Sequence, residues 1–169
     1  LKLLKISYPD KKIAIDIAQS SRVGEALNFN EIINSFNIYS IEDPAGEADF
    51  NSWADFYNNF AQKVLVVGDD LTTTNYALIN KANSQKLISA VVIKPNQIGT
   101  VYETLKAIKL CNQLNLKVIV SHRGGDTNDD FVADLSVGVG ADFVKFGGLQ
   151  RGERIAKYNR LEEIRSEVG

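Results

Sequence analysis

Residues 38–69, IYSIEDPAGEADFNSWADFYNNFAQKVLVVGD, hold one complete structural unit, and the rest of the chain is read outward from it. An apolar run, Ile38 to Ile41, ends on Glu42 and is followed by a loop of small and polar residues. Trp53, Phe56, Tyr57 and Phe60 then recur at the i, i+3, i+4, i+7 spacing of a helix with one apolar face. A second apolar run, Val64 to Val67, ends close to Asp69. Runs that are apolar at nearly every position suit strands covered on both faces, the condition of a parallel sheet.

The same unit recurs along the chain. Further runs occupy Lys12 to Ile17, Ala90 to Ile93, Lys117 to Val120 and Phe143 to Phe146, and helical stripes run through Phe29, Ile32, Ile33 and Phe36, through Val101, Leu105, Ile108 and Cys111, and through Ile155, Tyr158, Leu161 and Ile164. Each stripe is expected to pack against the sheet. A polar side chain closes each strand: Asp16, Glu42, Asp69, Lys94, His122 and Lys145, at intervals of about 25 residues, the length of one βα unit. Right-handed crossovers between parallel strands place all six strand ends on one rim, which is the candidate active site.

Six units are fewer than the eight of a closed barrel, and a six-stranded parallel sheet exposes two edges, so material outside this sequence is expected to close it. A doubly wound sheet would carry a glycine-rich phosphate loop after its first strand, and Ala18 to Arg22 has no glycine. An incomplete TIM-type barrel is therefore the expected architecture.

Composition narrows the function. With 169 residues, 44% of them hydrophobic, the chain can bury a core without disulfides. A net charge of -2, from 19 basic and 21 acidic residues interspersed, gives no field that would gather nucleic acid or an anionic membrane. No apolar run approaches the roughly 20 residues that span a bilayer. The single cysteine, Cys111, lies in an apolar stripe and reads as a small buried hydrophobe of a reducing, cytoplasmic compartment. The chain starts at Leu1 and holds no methionine, which suggests a fragment.

Three carboxylates from consecutive strand ends, Asp16, Glu42 and Asp69, can present oxygen atoms to a hard dication from neighbouring directions, and magnesium fits best. One acid alone would read as a helix cap or a loop acid; three in succession favour the metal. One histidine and one cysteine make no zinc site, and a single histidine without a nucleophile and an orienting acid makes no hydrolase triad. Lys94 ends an apolar strand, where proximity to a dication and partial desolvation favour loss of its proton and hence work as a general base. Lys145 is a second cation on the rim. Singly, each lysine would read as a snorkelling surface residue. Ser121-His122-Arg123-Gly124-Gly125 joins a fixed cation to backbone able to turn N–H groups toward a phosphate.

Several blocks then match one family: Ser40-Ile41-Glu42-Asp43-Pro44, Val67-Gly68-Asp69-Asp70-Leu71-Thr72 with Asn75, Lys94-Pro95-Asn96-Gln97-Ile98-Gly99-Thr100, Ser121-His122-Arg123, Phe131-Val132-Ala133-Asp134-Leu135, and Arg151 to Asn159. On these the chain resembles the enolases from about Lys12 onward, as six parallel βα units of their C-terminal barrel domain. The resemblance implies a magnesium-dependent lyase interconverting 2-phosphoglycerate and phosphoenolpyruvate in glycolysis and gluconeogenesis. It implies Asp16, Glu42 and Asp69 as metal ligands and Lys94 as the base at C2. It also implies Glu42, Asp69, His122, Arg123, Gly124 and Lys145 as substrate contacts, with Lys145 on the carboxylate side and Arg123 on the phosphate. Enolases carry an N-terminal capping domain, the first barrel strands and a general-acid glutamate ahead of the matching region. The expectation is that residues 1–169 are the partial C-terminal domain, inactive without that portion or a complementary chain, and forming a homo-oligomer.

The sequence also departs from the family. Gly124 replaces a usual serine, Phe146-Gly147-Gly148-Leu149-Gln150 replaces a Thr-Gly-Ala-Pro stretch, and the segment from Asp16 to Glu42 is short. Two other readings are a non-catalytic enolase-like binding module, and a dehydratase of acid sugars from the wider superfamily.

Overall fold

The computed structural model describes residues 1–18 and 27–169. Fourteen elements follow in order: α1 (Lys2–Ser7), β1 (Ile13–Asp16), α2 (Phe29–Ser35), β2 (Ile38–Glu42), α3 (Phe50–Phe60), β3 (Leu65–Gly68), α4 (Tyr76–Ser84), β4 (Ala90–Ile93), α5 (Pro95–Ile98), α6 (Val101–Gln113), β5 (Lys117–Ser121), α7 (Phe131–Gly138), β6 (Phe143–Lys145) and α8 (Gly152–Val168). The strands form one six-stranded sheet in the order β1-β2-β3-β4-β5-β6, every pairing parallel. Most of the stretch in which a doubly wound sheet would need its glycine loop lies at 19–26, outside the described residues.

Local chemistry sets the helix starts. Asn28, Asp49, Asn75 and Thr100 each accept a hydrogen bond from a backbone N–H in the first turn that follows, satisfying donors that the helix itself leaves open. Gly99, at φ 100°, ends α5 in a left-handed turn that a side chain would strain.

The outer face of the sheet meets the helices. Ile41, Val66, Val91, Ile93, Val118 and Val120 pack in one cluster with Trp53, Phe56, Ile79, Ala107, Ile108 and Cys111. Trp53 is fully buried, and its indole N–H donates to the Gly46 carbonyl at 3.1 Å. Cys111 is buried as expected, and burial pushes its thiol up to about 12. On the inner face Val67, Ala90, Val92 and Ile119 form a second, smaller cluster.

The sheet curls until its ends face each other. Lys145 on β6 reaches Asp16 on β1 and Glu42 on β2, and the Tyr39 and Phe143 rings meet edge to face at 5.5 Å. The result is the incomplete barrel that the sequence implies.

Three expectations change. Only the central strands are covered on both faces; Asp16, Phe143 and Val144 at the edges are exposed, because β1 and β6 each pair on one side only among the described residues. On α6 the buried face is Thr104, Ala107, Ile108, Leu110 and Cys111, so Val101 and Leu105 of the expected stripe face outward, as does Ile155 on α8. Helices α4 and α7 fall outside the four stripes; α4 buries only Ile79 and Ala82, too few positions to show a period. Among the described residues, no helix is long and apolar enough to cross a membrane.

Candidate active site

Parallel strands put the residues that close them on one rim, and register brings them level. Asp16 pairs with Glu42 across β1 and β2, and Ser121 with Lys145 across β5 and β6. Lys145 Nζ donates to Asp16 Oδ2 at 2.8 Å and to Glu42 Oε1 and Oε2 at 2.8 and 2.9 Å, bridging two strands more than a hundred residues away in sequence. Lys94 Nζ donates to Asp69 Oδ2 within the same opening, with only 14% of its side chain exposed. Below the rim lies a cavity of about 320 Å3, lined at its polar end by Asp16, Glu42 and Lys145 and deeper by Tyr39, Val67 and Phe143. A depression of about 350 Å3 on the helix side, lined by Pro44, Asp49, Phe56 and Phe60, gathers no such set of opposed charges.

Carboxylate oxygens of Glu42, Asp43 and Asp69 lie within 4.8 Å of one another, and all three residues are buried. Burial raises Glu42 to about 7 despite Lys145 beside it, and raises Asp43 to about 6 despite two backbone donors. The rim sets four acids, Asp16, Glu42, Asp43 and Asp69, against two lysines, Lys94 and Lys145, which leaves it an excess of negative charge. Its donors are hard oxygens, the set that suits magnesium or calcium.

In the sequence Asp43 stands within a matching block but carries no assigned role. Alternation along a strand would turn it away from Glu42, but β2 ends at Glu42 and Asp43 takes φ 44°, which swings its carboxylate back toward the rim. There Oδ1 accepts from Asp69 N and Oδ2 from Asp70 N, both at 3.0 Å, clamping the turn that carries Asp69. An acid next to Glu42 and ahead of Pro44 was the available signal, since Asp tolerates the left-handed region better than most residues.

Lys94 is held from below. The buried Thr74 hydroxyl accepts from Lys94 N at 2.8 Å and lies 2.9 Å from Gln97 Oε1, to which it donates; Gln97 Nε2 donates to Asp69 Oδ1 at 3.4 Å. Thr73 and Thr74 have φ of 43° and 57°, costly for β-branched residues, so the surrounding contacts hold them there.

On the opposite side of the rim, Arg123, Gly124 and Gly125 form an exposed turn, closed by Asp126 N donating to Arg123 O at 3.1 Å and Arg123 N donating to Asp126 Oδ2 at 3.2 Å. His122 sits behind it. Burial, then Arg154, lower its pKa, with Asp126 opposing. Its Nδ1 and Arg154 Nε are buried without a hydrogen-bond partner among the described residues. Gly147, at φ 77°, closes that wall; a Cβ there would come within 2.8 Å of Arg154 Nε and 3.0 Å of His122 Cε1, so only glycine fits. Of the departures at 146–150, Phe146 is fully buried against Tyr158, whose hydroxyl donates to Gly147 O at 2.7 Å, while Gly148, Leu149 and Gln150 are exposed.

The structure thus gathers Asp16, Glu42, Asp69, Lys94 and Lys145 at one opening, with His122 on its flank and Arg123 and Gly124 on the turn above. Asp16 pairs with Lys145 and stands outside the tight acid group, in which Asp43 is the third member.

Comparison with known proteins decides the family. Residues 9–169 match the model of the enolase C-terminal TIM barrel domain. The chain belongs to the enolase family. An enolase of Ureaplasma parvum serovar 3 is 49% identical over 140 residues, covering 83% of this chain and 32% of the relative. An enolase of Pelagibacter ubique is 42% identical over 169 residues, covering 100% of this chain and 39% of the relative, and one of Neorickettsia sennetsu is 42% identical over 167. The chain spans about a third to two-fifths of the length of the curated enolases it matches.

Proposed function

We propose that this chain carries the partial C-terminal, catalytic domain of an enolase, a cytoplasmic, homo-oligomeric, magnesium-dependent lyase that interconverts 2-phosphoglycerate and phosphoenolpyruvate in glycolysis and gluconeogenesis. The supporting observation is the convergence of buried acids with Lys94 and Lys145 at one opening. Glu42 and Asp69 would hold the magnesium with Asp16, and Asp43 would fix the turn of Asp69. A bound dication would stabilise the charge that spreads over the substrate carboxylate as C2 loses its proton.

Lys94 Nζ takes that proton. It does so as a free amine, its ammonium proton having passed first to solvent water, and Thr74 and Gln97 keep it aligned with Asp69. Lys145, shared between Asp16 and Glu42, presents a second cation to the substrate carboxylate. Arg123 and the backbone N–H groups of its turn bind the phosphate, Gly124 contributing no hydroxyl. His122, whose charged form burial and neighbouring cations disfavour, offers a hydrogen bond to the substrate. The general acid for loss of the C3 hydroxide comes from the N-terminal enolase portion.

The test combines the chain with that portion of an enolase, magnesium and 2-phosphoglycerate. Phosphoenolpyruvate should form, and Lys94→Ala should abolish exchange of the C2 proton. No gain over either part alone would overturn the reading.

A further inference from the structure

Lys157 is a lysine with no exposed surface. It lies on α8, where a charged residue in an amphipathic helix ordinarily faces water. Burying an ammonium is costly unless each of its three protons finds an acceptor. Here the match is complete: Nζ donates to Thr127 O at 3.0 Å, to Asp129 O at 2.8 Å and to Glu153 O at 2.9 Å. Asp126 Oδ2 lies 3.7 Å away as countercharge.

Two of those carbonyls belong to the loop between β5 and α7, which the sheet does not hold. The third lies one turn back on α8. The ammonium therefore ties the loop to a helix that is itself fastened to α7 by the Arg160–Asp134 pair. The Asp126 carboxylate beside Lys157 also accepts from Arg123 N, so the anchor connects directly to the turn of Arg123, Gly124 and Gly125. No atom stands within 4 Å of a Cβ built on either glycine, so the tip is open while its base is pinned.

We propose that Lys157 is the positioning residue of this turn: its buried ammonium orders the carbonyls of Thr127 and Asp129, so that Arg123 and the amides of Gly124 and Gly125 are preset to receive a phosphoryl anion. This rests on the enolase reading only for the identity of that anion as the substrate phosphate.

Lys157→Met keeps the apolar stem and removes the charge. With far-UV circular dichroism and a cooperative melt like those of wild type, the variant should be cut by trypsin after Arg123 about tenfold faster or more. It should also lose the shifts that inorganic phosphate induces in the amide resonances of residues 123–125. In Lys157→Ala, propylammonium should restore both properties, which a residue serving only to fill space would not allow. Wild-type cleavage and wild-type phosphate shifts in Lys157→Met, or failure of propylammonium to restore either, would overturn the proposal. Should neither variant fold, the ammonium resonance of Lys157 in the wild-type chain decides: slow solvent exchange supports the anchor, and exchange as fast as that of exposed lysines overturns it. Absence of phosphate shifts in wild type would instead refute the phosphate site, leaving the tryptic rates to judge the anchor.

Discussion

Asp43 and Lys157 solve one problem on opposite sides of the rim with opposite charges. At the end of β3 a buried carboxylate accepts from two backbone N–H groups and fixes the turn bearing Asp69; at the end of β5 a buried ammonium donates to backbone carbonyls and fixes the turn bearing Arg123. The difference lies in what each charge does to its surroundings. Asp43 stands inside the acid group and adds to its deficit of positive charge, whereas Lys157 lies behind its loop and leaves the tip open. Geometry and cation affinity should therefore be coupled on the acidic side.

The most severe way to break that side is Asp69→Asn, which removes the carboxylate shared by Lys94, Gln97 and the acid group. Magnesium affinity should fall by about 100-fold or more, read by isothermal titration. Asp43→Asn should sharpen the comparison. An amide offers one acceptor where the carboxylate offers two, so one of the N–H groups of Asp69 and Asp70 loses its partner. Magnesium affinity should fall about tenfold and stability to urea by about 1–3 kcal/mol. Unchanged magnesium affinity would show that the clamp and the metal are independent.

A smaller effect concerns pH. The Glu42 carboxyl holds its proton more tightly folded than unfolded, so the folded state binds more protons between about 4.5 and about 7. Stability from this group is then fully present below the unfolded pKa and lost as pH rises through the folded one. Without metal the loss should be on the order of 2–3 kcal/mol, and Glu42→Gln should flatten the profile across that window. Urea melts at pH 5 and 7.5 would show it; a slope unchanged in Glu42→Gln would remove Glu42 as its source. The smallest effect is on the basic side. His122, the one histidine of the chain, should titrate below the 6.5 of an unperturbed imidazole in an NMR pH series, because burial and Arg154 disfavour its charged form. A midpoint above 6.5 would contradict that account.

Strand positions were legible because each apolar run carries a polar residue at or close to its end. β4 spans the expected Ala90 to Ile93, and the other strands fall within about a residue of expectation at each end. The rim was legible because parallel crossovers leave the topology little choice. Asp43 was hidden by a turn that reverses the alternation of β2, and Lys157 by the ordinary meaning of a lysine on a helix. Only long-range contacts distinguish a charged residue that holds a loop from one that faces water. The outward positions of Val101 and Leu105 were hidden for a related reason: small residues, Thr104 and Ala107, allow α6 to approach its neighbours on another face.

Manganese(II) used in place of magnesium tests most directly whether acids from separate strands gather around one dication. Titrated into the chain, it should broaden the amide resonances around Glu42, Asp43, Asp69 and Lys94 first, leaving the opposite ends of the same strands, at Ile38, Leu65 and Ala90, sharp. Broadening that begins at those opposite ends, or spreads without preference over exposed acids, would contradict the account.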